Sequence, residues 1–423
     1  MKRIYFFSAA IALGVLMFAN HSFAATINAV SCSQTDVQSA INSASVGDIV
    51  AVPAGTCTWT TVTSYTPTLS ITKKITLQGA GIDQTIINDG TGTNAFEDPL
   101  HINGPARITG FTFADSRTVV DYNSFITTSG SGWRIDHCKF TPTGSHITSG
   151  IIANGEPTAL IDHNTFINGN AGVQVIGDGD TSWTTPSAVG TGNQVYIEDN
   201  TFNYTYVWDG AYDTYNGARY VFRYNTVIGT NIGNHGLDSG GFRSGFSYEI
   251  YNNTFTNPND HIYTAIESRG GTGVVFNNVV TSDGGSYDSF DILRNYRSDS
   301  GYDTSWGTCD GTNPIDGNTP GWQGWPCKDQ IGRGTNQTSD PVYLWNNTFK
   351  GNSNPTIGVA AYEDSTRAQT YHILINRDFF NDTPKPGYTP FTYPYPLTAD
   401  GFPNPNGVSD TAPPAAPTGV SVQ

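Results

Sequence analysis

The chain has 423 residues, 36 of them acidic and 20 basic, which gives a formal net charge of −16. That balance excludes nucleic acid and anionic membrane surfaces as partners, because a surface of like sign repels them. With 47 glycines, 12% aromatic and only 13% charged residues, the composition excludes a disordered or all-helical chain and suits a turn-dense β protein.

Met1, Lys2 and Arg3 are followed by an apolar run over residues 4–19 and then by Ser22-Phe23-Ala24. A basic start, a short apolar centre and small residues at the −3 and −1 positions predict a secretory signal over 1–24, cut after Ala24. The mature protein is then extracellular or periplasmic. No later stretch approaches membrane-spanning length. Removing Lys2 and Arg3 leaves 18 basic against 36 acidic residues. Next, residues 35–42 have helical spacing and residues 48–53 read as a strand. Together they form a cap for the open end of a solenoid, whose bare strand edge would otherwise pair with other chains.

A repeat dominates the middle of the chain. Ile161-Asp162-His163-Asn164-Thr165-Phe166 recurs with its asparagine slot at Asn200, Asn225, Asn253, Asn278 and Asn347. An earlier copy, Ile135 to Phe140, puts Cys138 in that slot, and a degenerate last copy reads Ile375-Asn376-Arg377-Asp378-Phe379. From Cys138 the steps are 26, 36, 25, 28, 25 and 69 residues. A step near 25 with short alternating apolar runs predicts one β coil per repeat, stacked into a parallel β-helix. Asparagine suits the slot because it tolerates left-handed backbone and its amide can bond to its equivalents above and below.

The long steps locate insertions over 178–192 and about 296–340. Each follows a strand one turn ahead of the asparagine-bearing one, so both spring from the same edge. Of the five cysteines, Cys32 with Cys57 and Cys309 with Cys327 are the pairs closest in sequence. Export permits both bridges, the second restraining the long insertion, and Cys138 is left as a buried thiol. The domain spans 25–402; residues 403–423 are a Pro- and Ala-rich tail.

The cap residues Val46 to Gly55, the following Ile71 to Gly79 and the asparagine column together resemble the pectate-lyase-like superfamily. Trp133-Arg134-Ile135-Asp136-His137 is similar to the Trp-Ile-Asp-His stretch of pectate lyases, while their Arg-x-Pro-x-x-Arg partner motif is absent. The resemblance implies a right-handed parallel β-helix over about 25–397 and a glycan substrate. It leaves open lyases, glycosidases and surface proteins without catalysis.

The middle coils hold the chemistry-bearing residues. For β-elimination, a cation must neutralise a uronate carboxylate so that the neighbouring C–H becomes acidic, and a base must remove that proton. His235 is the candidate base, with Arg243, Arg269 and Arg294 to bind the carboxylate. Aligning Leu237 with Ile266 stacks Asp238 on Glu267, a pair able to hold Ca²⁺. A glycosidase reading assigns acid and base to Asp238, Glu267 and Asp291. Trp306, Trp322 and Trp325 of the long insertion are candidates to stack on sugar rings, with Arg333 beside them. The expected partner is an acidic polysaccharide, bound by a monomer. A non-catalytic glycan-binding or structural role is the third reading.

Overall fold

The computed structural model describes residues 24–399 apart from 65, 93–96, 116–122, 143–148, 206–209, 236–241, 260, 296–328, 351–356 and 362–372. Three parallel sheets of 12, 10 and 10 strands run the length of the solenoid. Ten coils contribute one strand to each, in the order A, B, C, and the 12-stranded sheet A gains one further strand at each end, Thr26–Asn28 and Phe379–Asn381. Sheet A includes Arg134–Asp136, Ala159–Asp162, Val195–Glu198, Arg219–Arg223, Ser247–Tyr251 and Thr272–Phe276. Sheet B takes the strands just after the asparagine slot, such as Thr165–Ile167 and Thr201–Asn203. Sheet C includes Val173–Ile176, Tyr212–Tyr215, Ile232–Gly233, Ile266–Ser268 and Asp291–Asn295.

Alternation along each strand explains the layers. In sheet A, Val195 and Ile197 face the interior core, while Tyr196 belongs to a second apolar cluster on the outer face. That outer face is covered by a late segment through Tyr388, Phe391 and Tyr395. Buried on both sides, the sheet also carries paired charges on its outer face, among them Arg134 with Asp162 and Arg223 with Glu198. Inside, Phe140, Phe166 and Phe202 stack coil on coil with centroids 4.8 and 4.7 Å apart.

The asparagine column forms as expected. Asn225 Oδ1 accepts from the Asn200 backbone N–H at 2.9 Å and from Asn200 Nδ2 at 3.1 Å. Asn225 Nδ2 donates to the Ile197 carbonyl at 2.8 Å and to Asn253 Oδ1 at 3.2 Å. The same pattern runs from Cys138, whose N–H donates to Asn164, to Asn347. The backbone reason proves different. The left-handed residue is the one before the slot: His137, His163, Asp199, Tyr224, Asn252, Asn277 and Asn346, with φ between 49° and 59°. The amide alone therefore fixes the slot's identity. The copy at Ile375 to Phe379 is not a ladder coil, because Phe379–Asn381 pairs at the end of sheet A.

Replacing Asn225 by alanine should cost about 3 kcal/mol, since it orphans the buried Asn200 N–H and Ile197 C=O on the coil before and takes a donor from Asn253 Oδ1 on the coil after. Asn347→Ala, at the column's end, should cost less. Denaturant unfolding of both variants checks this; equal losses would contradict a column in which interior slots serve two neighbours.

The cap helix is Gln34–Ser43, with Ser33 as N-cap accepting from the Asp36 N–H. The Cys32–Cys57 disulfide closes beside it, and Cys138 is a free buried thiol. Cys309 and Cys327 lie outside the described residues. Both insertions leave sheet C strands at the same edge, as their position in the repeat requires. No helix among the described residues is long and apolar enough to cross a membrane.

Candidate active site

The site is built on the outer face of sheet C. Tyr212 pairs with Ile232, Ile232 with Ile266, and Gly233 with Glu267. The outward column is therefore Asp213, Gly233, Glu267. Two coil rises of about 4.8 Å separate the carboxylates, and the middle position has no side chain. That gap is a cleft of about 60 Å³, lined by Asp213, Asn231, His235, Tyr263, Glu267 and Arg269 among others. A Cβ added at Gly233 would meet nothing closer than Glu267 Cβ at 3.9 Å, so the opening exists because the residue is glycine.

On one wall, His235 Nδ1 lies 2.8 Å from Asp213 Oδ1. A carboxylate on Nδ1 fixes the tautomer and makes the second ring nitrogen the basic one. On the other wall, Glu267 is ion-paired to Arg269 Nε at 2.9 Å and to Arg294 Nη1 at 2.6 Å, and Arg269 Nη2 donates to it at 3.0 Å. Burial pushes the Glu267 carboxyl up, but Arg269's hydrogen bond and charge, then Arg294's charge and Tyr263's hydrogen bond, outweigh it and hold it below the usual range. Glu267 is thus ionised. One carboxylate between two guanidiniums leaves this wall with a net positive charge in a strongly acidic protein.

Tyr263 completes the wall. Its hydroxyl donates to Glu267 Oε2 and accepts from Asn231 Nδ2 at 3.3 Å, and the Arg294 guanidinium lies 5.5 Å from its ring. Burial, then the charge and hydrogen bond of Glu267, push its phenol well above the ordinary value.

His235, Glu267, Arg269 and Arg294 are therefore brought together; other candidates are not. Ile232, not Leu237, aligns with Ile266, so Gly233 rather than Asp238 neighbours Glu267, and Asp238 itself lies outside the described residues. Arg243 sits at the edge, bonded to Asp329 Oδ2 at 2.6 Å and to Asp180, over the Trp183 ring. It ties the feet of the two insertions together and does not face the cleft. Arg333 is buried, with Asp378 at 4.0 Å. Asp291 pairs in register with the inward-facing Ile266 and is fully buried in the solenoid, which removes it as a glycosidase carboxyl. Trp306, Trp322 and Trp325 lie outside the described residues.

Calcium does not fit Glu267, because two guanidiniums already occupy the space a cation would take. Among the described residues no three acidic, histidine or cysteine side chains gather as a metal site. Sequence reasoning missed Asp213, Tyr263 and Gly233. Only Tyr263, four residues before Glu267 on the same segment, was within reach of a local reading.

No protein-family model and no curated protein matches the chain. Solved structures do match. An alginate lyase from Paenibacillus sp. is 13% identical, with a TM-score of 0.40, over 80% of this chain and 91% of that one. A PL6 family polysaccharide lyase from Pseudopedobacter saltans is 13% identical at a TM-score of 0.39, covering 89% of each chain. The catalytic unit of a GH87 alpha-1,3-glucanase from Streptomyces thermodiastaticus is 14% identical at 0.35, over 88% of this chain and 71% of that one. Likenesses this distant carry no argument about activity; the β-helix stands on the strand registers themselves.

Proposed function

We propose that the protein is an exported polysaccharide lyase that cleaves an acidic, uronate-containing glycan by β-elimination in the Gly233 cleft. The observation that supports this reading is the pairing, across one small opening, of an Asp213-oriented imidazole with the positively charged Arg269–Glu267–Arg294 wall. Arg269 neutralises the carboxylate of the bound sugar, which acidifies the adjacent C–H. His235 takes that proton. A glycosidase acid needs a protonated carboxyl, and Glu267, held ionised, does not supply one.

Purified protein incubated with a panel of uronans should generate the ultraviolet absorbance of a conjugated, unsaturated uronate. The variant Gly233→Val, which suits a strand and fills the gap, should lose that activity while melting like the parent. New reducing ends without the absorbance would replace elimination by hydrolysis. Glycan binding with neither signal would make the protein a binding module.

A further inference from the structure

Resting on the elimination reading, we propose that Tyr263 is the acid that protonates the departing sugar oxygen. Elimination needs two proton transfers. His235 accepts the C5 proton, the freed electron pair forms the C4–C5 double bond, and the C4–O bond breaks with its pair passing to the glycosidic oxygen. That oxygen is a poor leaving group unless a proton reaches it as the bond breaks. The imidazolium then loses a proton and the acid regains one through water, so no other reactant is consumed.

Tyr263 meets the requirements on independent grounds. It lines the same cleft as His235, and it is 36% exposed, so its hydroxyl can reach a bound chain. It lies on the wall opposite the Asp213–His235 pair, which places acid and base on different sides of the opening. Its hydroxyl is held between the Glu267 carboxylate and the Asn231 amide. Beside an ionised carboxylate the phenol keeps its proton until the substrate draws it away, as an acid must. Once the proton has gone, the phenolate faces the Arg294 guanidinium, 5.5 Å from the ring, and Arg269 beyond Glu267. The two cations offset the repulsion between that anion and the Glu267 carboxylate, and they do so only as the bond breaks, where such stabilisation accelerates the reaction.

The test compares Tyr263→Phe with the parent on two substrates: a uronan, whose leaving group is a sugar alkoxide, and a synthetic uronate bearing 4-nitrophenoxide at C4, which departs without a proton. The ring and its contact with Arg294 are retained in the variant. On the uronan, kcat should fall about 100-fold to 1,000-fold with KM nearly unchanged. On the aryloxide substrate, kcat should stay close to the parent's. Equal losses on both substrates, or no loss on either, would overturn the assignment while leaving elimination intact. A parent protein that forms no unsaturated product from either substrate would overturn elimination itself, and Tyr263's role with it.

Discussion

Replacing Arg269 by alanine should lower kcat/KM on a uronan about 1,000-fold, equivalent to about 4 kcal/mol of transition-state stabilisation. The size follows from the local charge. With both arginines present, the wall around Glu267 is positive. Without Arg269, the remaining Arg294 is cancelled by Glu267 at 2.6 Å, and a substrate carboxylate meets a neutral surface. Binding and C–H acidification weaken together, so kcat and KM should both worsen. Arg269 lies outside the apolar core but pairs with the buried Glu267, so the melting temperature should fall as well, and turnover is compared at a temperature where the variant is folded. Steady-state kinetics and a thermal melt decide the matter; unchanged turnover in a folded variant would take Arg269 out of the site.

The second large effect concerns stability. Asp291 is sealed inside the solenoid, with Ser268 Oγ at 3.5 Å from Oδ2 and no partner for Oδ1 among the described residues. Burial, opposed by Ser268, pushes its carboxyl from 3.8 up to about 8. Between those limits the folded chain holds a proton that the unfolded chain releases. Stability therefore falls as pH rises through this window, by at most about 1.4 kcal/mol per unit, and no further above it. Asp291→Asn keeps the shape and removes the titration. Its melting point should match the parent's near pH 4 and exceed it by several degrees at pH 9. Glu249, also raised chiefly by burial, gives the parent a slope of the same sign, so the difference between the two melting curves is the quantity to read. Parallel curves would mean that Asp291 ionises freely in the fold.

The architecture was legible because it repeats. An amide every 25 or so residues, apolar alternation and two long steps were enough to place the column and the shared edge of the insertions, and helical spacing over 35–42 placed the cap. The site was legible only in part, for reasons of register. Arg269 and Glu267 sit two apart on one strand, so alternation alone put them on one face. Asp213 and His235 belong to coils whose alignment depends on where a short strand begins. Leu237 and Ile232 look alike in sequence, yet only Ile232 pairs with Ile266. Arg243 reads like Arg269 until Asp329, 86 residues away in sequence, is seen against it. Gly233 signalled nothing, because its contribution is an absence of atoms. The left-handed corner was misplaced by one residue, since histidine, aspartate, tyrosine and asparagine all occupy it.

Stacked coils ordinarily communicate only with their immediate neighbours, so harm at one terminus stays there. Here the strap over sheet A breaks that rule. Arg223 donates to the carbonyls of Phe391 and Thr392, both at 2.9 Å, and the Tyr395 N–H donates to Glu198. A stretch near the end of the described chain is thus the seal on coils made long before. Until it arrives, the aromatic outer wall of the midsection stands bare to water, and a cut near residue 385 would injure the centre of the rod more than its tip.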